Sequence, residues 1–305
     1  MQLTPSSLKT LFTGYKTAFQ GGLTEAQSLY QKLTTVVPST TASEEYGWLG
    51  QMPGMREWIG ERVVHGLETH GYSIKNKPFE LTVGVPRTTI EDDTYGVYTP
   101  MMGELGRSAA AHPDQLTFGL LALGTTEKCY DGKPFFSANH PVKKVDGKNE
   151  NVSNVDASGN GPWWYVLDTS RSIKPLIFQD RKKPNFVAMT AETDPNVFTK
   201  AELVYGVDAR CNVGFGFWQM AYASNKPMTA DNVWAAIDAI EGCKGDAGRP
   251  LALKATTLVV PTQLQRQANK LMTAELVPVT VGGDTTTESN DLKDRLEVIV
   301  SGWMS

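Results

Sequence analysis

Between Gly71 and Pro86 the chain alternates apolar and polar side chains with a period of two, and that alternation narrows what it can build. Tyr72 and Ile74 alternate with Ser73 and Lys75. After Pro78 the register resets, and Phe79, Leu81, Val83 and Val85 alternate with Glu80, Thr82 and Gly84. Such a run is a strand with one apolar face. Upstream of the turn signals Gly66 and Gly71, Glu57 to His65 can supply a partner strand, which predicts a long hairpin. Each arm has roughly a dozen residues and reaches about 40 Å at ~3.3 Å per residue. A two-stranded ribbon is marginal in water on its own. Its apolar face therefore needs another surface, either the body of the same subunit or a neighbouring copy.

The rest of the composition is that of a globular protein. The 305 residues and 33.4 kDa suffice for one large or two modest domains. At 40% hydrophobic and 20% charged the chain is unlike a disordered one. A formal net charge of −4 and a pI near 5.7 argue against a tight grip on nucleic acid, which calls for a basic surplus. Cys129, Cys211 and Cys243 are odd in number and fit no zinc spacing, so reduced thiols are expected. The N-terminal segment has no apolar signal region and no run of 18 apolar residues occurs, so the expectation is a soluble protein inside the cell with no membrane contact.

Along the chain, Leu8, Leu11, Phe12, Tyr15 and Phe19 fall at helical spacing, with Gly21-Gly22 as the expected end of that helix. A second weak helix and the Thr/Ser-rich TTVVPSTTASEE follow. That stretch is poorly placed to fold alone, so residues 1–43 read as an arm or as a helix resting on its own domain. Thr99 and Pro100 sit where a helix starts, and Met101, Leu105 and Ala109 recur every four residues. Pro113 then leaves either one kinked helix or two in succession. WWYVLD, PLIFQD and NFVAM read as short buried strands. LVYGVDARCNVGFGFWQMAYA reads as β structure with close backbone contacts. Thr229 and Thr262 are the expected caps of two amphipathic helices that bracket the strand TLVVP. VGGDTTTESND reads as a surface loop, and RLEVIVSGW as a last strand.

No catalytic constellation emerges. His65 and His70, five apart, cannot share a helical face. A Cys129–His140 nucleophile is conceivable, but a structural turn is the favoured reading of that segment. Glu91, Asp92 and Asp93 are consecutive, so on a strand they point to alternate faces and do not converge on one ion. GFGFW lacks the context of a dinucleotide loop. Arg181-Lys182-Lys183 reads as a solvated turn, with contact to DNA or an internal scaffold as the alternative. No cofactor and no metal are expected. Trp48 and Trp58, with Met52 and Met55, are of the types enriched at interface cores, although packing within their own subunit is as good a reading.

The segments REWIGERVV, YSIKNKPFELTVGV, CYDGKPFFSANHPV, LDTSRSIKPLIFQDRKKP and YGVDARCNVGFGFWQMA, taken in order with their neighbours, resemble the major head (capsid) protein of Mu-like phages and prophages over nearly the whole chain. The resemblance implies an α+β fold of the tailed-phage capsid (Hong Kong 97) type. It implies an N-terminal arm over 1–55, an extended β-hairpin loop over 56–93 and a peripheral domain with a spine helix over 94–200. An axial domain over 201–285 and a C-terminal strand over 286–305 returning to the peripheral domain complete it. It implies a non-enzymatic subunit that associates with itself into pentamers and hexamers of an icosahedral shell. Separate scaffolding, portal and decoration proteins would be partners, and the packaged DNA would be touched weakly and non-specifically. The place would be the virion, after assembly in the host cytoplasm. Candidate interface residues on this reading are Trp48, Trp58, Tyr72, Ile74, Phe79, Leu81, Asp92 and Asp93. A shell of the same fold enclosing protein cargo, or a hydrolase, are the alternatives.

Overall fold

The computed structural model describes residues 4–47, 49, 71–93, 96–144, 146–281 and 284–304. Trp48, Met52, Met55, Trp58, His65 and His70, and with them the proposed first hairpin arm 57–65, lie outside the described residues.

The chain opens with helix α1 (Pro5–Glu25), whose capping box pairs the Thr4 hydroxyl with the Ser7 amide and the Ser7 hydroxyl with the Thr4 amide. Gly21-Gly22 does not end it. Gly22 instead allows α1 to lie against a long helix further on. A short turn α2 (Tyr30–Leu33) leads into strands β1 (Thr34–Pro38) and β2 (Ser43–Glu45). The Thr/Ser-rich stretch is therefore ordered. Glu44 Oε1 accepts from the Ser39 hydroxyl and the Thr40 and Thr41 amides, which together hold its carboxyl down at about 2.

Next come β3 (Ser73–Lys75), β4 (Lys77–Pro86), the short helix α3 (Arg87–Glu91) and the long helix α4 (Tyr98–Ala122). α4 begins at Tyr98 with no side-chain cap from Thr99, and Asp93 instead holds the turn that leads into it. Its Oδ1 accepts the Gly96 and Val97 amides at 2.8 and 3.2 Å. Of the two readings of Pro113, one continuous helix of 25 residues is found. Just past the proline, the Asp114 carboxylate accepts the Leu29 and Tyr30 amides at 2.9 and 2.7 Å and anchors the start of α2.

A β-rich stretch follows, made of β5 (His140–Lys143), β6 (Asn149–Val152), β7 (Val155–Asp156), β8 (Trp164–Leu167) and β9 (Leu176–Met189). PLIFQD and NFVAM are thus one strand. Pairing slips around Lys182, Asp208 and Arg210, and Pro184, which lacks a donor, is accommodated at that irregularity. Helix α5 (Pro195–Lys200) turns the chain into β10 (Glu202–Phe215), which leads to β11 (Ala221–Ser224). Helix α6 (Ala230–Glu241) is capped by Thr229, as expected. After β12 (Thr257–Pro261), Thr262 opens a 3₁₀ turn and does not cap α7 (Gln265–Thr273). VGGDTTTESND is not a loop, since β13 (Leu276–Val281) and β14 (Asp284–Ser289) pair as a hairpin. β15 (Glu297–Ser301) and a final 3₁₀ turn, Gly302–Met304, close the chain.

The strands form a four-stranded sheet ordered β1-β9-β10-β4 and a five-stranded sheet ordered β15-β12-β8-β11-β7. One core surrounds the five-stranded sheet with α6, α7 and the Phe135-Phe136 turn, and a second lies between α1, α4 and the four-stranded sheet. These pairings cross the domain boundaries read from the sequence. β10, assigned with 201–285, pairs with β9 and β4, while β8, assigned with 94–200, lies between β12 and β11. The last strand runs parallel to β12, in the sheet that carries α6 and α7, and does not join the four-stranded sheet. Strands go where their neighbours can bury them, and both faces of β12 are already apolar.

Within the second core Tyr15 meets Tyr205 edge-on at 5.2 Å and Phe19 stacks on Phe186 at 5.2 Å. Residues 5–25 are therefore docked on their own subunit and do not form a free arm. That is the alternative the helical spacing left open.

Candidate assembly surface

The alternating segment forms two strands, β3 and β4, and each finds a partner among the described residues. Ser73–Lys75 pairs antiparallel with Ser43–Glu45, and Lys77–Pro86 pairs antiparallel with Glu202–Cys211 of β10. The Tyr46 amide then bonds the Tyr72 carbonyl at 2.9 Å and extends the first ladder by one step. Tyr46 and Tyr72 thus stand side by side, and Leu49 is buried in the adjoining core.

A buried polar knot fixes the junction of β2, β3 and β9. Gln179 of β9, fully buried, donates from Nε2 to the Asn76 Oδ1 at 2.7 Å and to the Ile74 carbonyl at 3.1 Å, and it accepts the Tyr46 hydroxyl at 2.9 Å. Asn76, also buried, donates to the Ser39 hydroxyl at 2.7 Å. Each member is satisfied, the condition for buried polar groups to rigidify a site. Sequence reasoning missed Gln179, Asn76 and Tyr46, because nothing in a local pattern marks a polar residue 100 positions away as its partner.

The candidate residues separate on this geometry. Ile74 is buried, and Tyr72 accepts the Phe215 amide on its hydroxyl at 2.8 Å, with burial pushing that phenol up to about 12. Both are committed to the subunit's own core. Phe79 packs edge-on against His112 of α4 with ring centroids 4.2 Å apart. Leu81 is 36% exposed, and Asp92 stands exposed at the end of α3. Asp93 is occupied with the Gly96 and Val97 amides. Leu81 and Phe79, with Leu23, His112, Phe178 and Val207, line a cleft of about 650 Å³ between α4 and the four-stranded sheet. Burial lowers the His112 imidazole, with an opposing contribution from Gln115.

The chemistry-bearing residues Cys129 and His140 do meet, but through a third group. His140, fully buried, places Nδ1 2.6 Å from Asp131 Oδ2, and Cys129 Sγ donates to Asp131 Oδ1 at 3.1 Å. The other ring nitrogen lies 3.2 Å from Asn154 Oδ1, whose Nδ2 is tied to the Phe135 and Trp218 carbonyls. The imidazole stacks on Trp218 at 4.0 Å and 7°. The three donor atoms lie within 4.8 Å of one another, the convergence a small metal would need. They already satisfy each other at hydrogen-bond distances, however, and Asp131 Oδ1 also accepts the Lys133 amide. Burial, reinforced by Asp131, pushes the Cys129 thiol far up, the reverse of an activated nucleophile. The segment is a structural turn, as the sequence favoured. Asp131 and Asn154 were missed as its partners, although the Asp131-Gly132 turn itself was legible.

A long helix laid along a four-stranded sheet and a second unit of helices on a five-stranded sheet define a structural subunit with the tailed-phage capsid fold of Hong Kong 97 type. The chain belongs to the family of the Mu-like prophage major head subunit gpT, whose model matches residues 8–304. It is 45% identical to the major capsid protein of Escherichia phage Mu over the full length of both chains. It is 48% identical to the Mu-like prophage FluMu major head subunit of Haemophilus influenzae, over 90% of this chain and 91% of that one. Among solved structures it is similar to the procapsid of bacteriophage JBD30, with a TM-score of 0.84 and 46% identity over 99% of this chain and 100% of that one. It is also similar to the JBD30 capsid, with a TM-score of 0.77 and 33% identity over the whole of both chains. No helix among the described residues is long and apolar enough to cross a membrane.

Proposed function

We propose that many copies of this chain assemble into the icosahedral head of a tailed phage and enclose its double-stranded DNA. The observation that carries the reading is the end-to-end match, in sequence and in fold, to a major capsid protein and to a procapsid subunit. Work of this kind is association, not catalysis. A standard contact of about 1,600 Å² can be weak singly, and a closed shell gives each subunit several at once. A net charge of −4 suits a container that touches DNA weakly.

A separate scaffolding protein and a portal are further proposed partners of the assembly. A decoration protein is a further partner, supported by a similar JBD30 capsid decorated with minor capsid protein trimers (TM-score 0.76, 34% identity over 94% of each chain). The test is the content of particles purified from cells that make this chain with its neighbouring phage genes. Nuclease-protected double-stranded DNA of uniform length is expected. Particles holding protein and no DNA would support the cargo-shell alternative instead.

The exposed carboxylate at the end of α3 gives a second test. Asp92→Lys is expected to leave the subunit folded while lowering shell yield by pairing poorly with a neighbour's basic residue. Asp93 is unsuitable for the same reversal because it holds two backbone amides. Shells formed by Asp92→Lys at full yield would remove the proposed contact.

A further inference from the structure

The β13–β14 hairpin has one guarded edge and one open edge. Its register runs from Val281↔Asp284 to Leu276↔Ser289, with two residues in the turn. A bridge that closes a two-residue turn is a hydrogen-bonded pair, and the two kinds of pair then alternate outward. Hydrogen-bonded pairs are therefore 281/284, 279/286 and 277/288. The Asn290 amide bonding the Glu275 carbonyl at 2.9 Å continues the same parity. Pro278, opposite Thr287, falls at a non-hydrogen-bonded position, where its missing N–H costs the hairpin nothing.

The consequence concerns the outer edges. On β13 the outward positions are 276, 278 and 280, and the central one is a proline that cannot donate. On β14 they are Thr285, Thr287 and Ser289, each with an N–H and a C=O facing away from the hairpin. Among the described residues no third strand lies beside either. Soluble proteins blunt such edges with Pro, charged side chains or a bulge. β14 (DTTTES) has no Pro, Lys or bulge, its charges Asp284 and Glu288 fall at inward-bonded positions, and Thr286 to Ser289 are exposed. Below the hairpin the base is firm. Asn290 Nδ2 donates to the Leu271 and Ala274 carbonyls at 2.7 and 2.8 Å, and Lys293 pairs with Glu275. The hairpin is thus firmly rooted, and its β14 side offers an unbroken row of outward main-chain donors where the β13 side is interrupted by Pro278.

We propose that the outer edge of β14 is a subunit–subunit contact, pairing by main-chain hydrogen bonds with an extended segment of a second copy of this chain. The proposal rests on the head-subunit reading, which supplies the second copy, and main-chain pairing is the recognition mode an unguarded edge supports.

Thr287→Pro removes the central outward donor and leaves every hydrogen bond within the hairpin in place, whereas Thr287→Ala removes the side chain and keeps the donor. Shell yield by sedimentation and unfolding by circular dichroism are measured for both and for the parent chain, expressed with its neighbouring phage genes. The expected result is parental yield for Thr287→Ala and about tenfold lower yield for Thr287→Pro at unchanged unfolding, since a small loss per contact is repeated around the shell. Equal yield for Thr287→Pro and the parent overturns the proposal. If Thr287→Pro lowers the unfolding midpoint, Ser289→Pro repeats the test at the next outward position, with the same two outcomes deciding. Failure of the parent chain itself to form shells would instead count against the head-subunit reading.

Discussion

Gly106→Val should be among the most damaging single changes in this chain, because α1 and α4 approach each other through their glycines. A Cβ at Gly106 would stand 2.1 Å from the Phe19 carbonyl oxygen and 2.8 Å from the Leu23 amide nitrogen. A Cβ at Gly22 would meet the Gly103 carbonyl oxygen at 1.9 Å. All of these obstacles are backbone, which cannot swing aside as a side chain can. Overpacking of a core costs about 1–3 kcal/mol where neighbours can adjust. Here the helix must lift, which partly exposes Tyr15 and Phe19, worth roughly 1.5–3 kcal/mol per large apolar side chain. A loss of about 4 kcal/mol in denaturant unfolding is expected, with α1 becoming sensitive to protease. Gly14→Ala supplies the contrast, since nothing lies within 4 Å of that position on the same helix. It should leave stability unchanged or raise it by about 0.5–1 kcal/mol through helix propensity. Equal effects of the two changes would mean that α1 does not depend on this close approach.

Asp131→Ala is the second large effect. It leaves the fully buried His140 without the Asp131 carboxylate and Cys129 Sγ and the Lys133 amide without their acceptor, and each buried polar group left unsatisfied typically costs about 1–3 kcal/mol. Asn, which keeps one acceptor oxygen, should cost less. The same residue predicts acid sensitivity. Burial pushes the Asp131 carboxyl up, but the bonds from His140, the Lys133 amide and Cys129 outweigh it and hold the group below its ordinary 3.8. A carboxyl depressed on folding adds stability that is fully present above its unfolded value and is lost as pH falls through its folded one. The Asp131 contribution should therefore persist down to about pH 4 and disappear below that, and an acid titration of Asp131→Ala should lack it. Parallel acid profiles for parent and variant would contradict the assignment.

These two sites show what was legible in the sequence. The 3.6-residue spacing of Leu8 to Phe19 located α1, and the alternation after Tyr72 located β3 and β4, because one-dimensional periods report a buried face directly. The partner of that face was not legible. Gly21-Gly22 reads locally as a helix stop, yet Gly22 serves a contact with a helix some 80 residues away. Likewise the junction of β2, β3 and β9 depends on Gln179 and Asn76, polar residues that look like surface until the strands are assembled. Pairing failed in the same way. Strand 73–75 takes 43–45, and β15 takes β12, choices set by which edges remain free. The head-subunit class was legible because it rests on residues spread in order along the whole chain.

Light scattering with negative-stain imaging of the purified chain, expressed with and without its neighbouring phage genes, tests the central claim most directly. Closed shells of uniform diameter are expected, at the least when the partner genes are present. A stable, folded monomer with no ordered assembly under either condition would contradict the account.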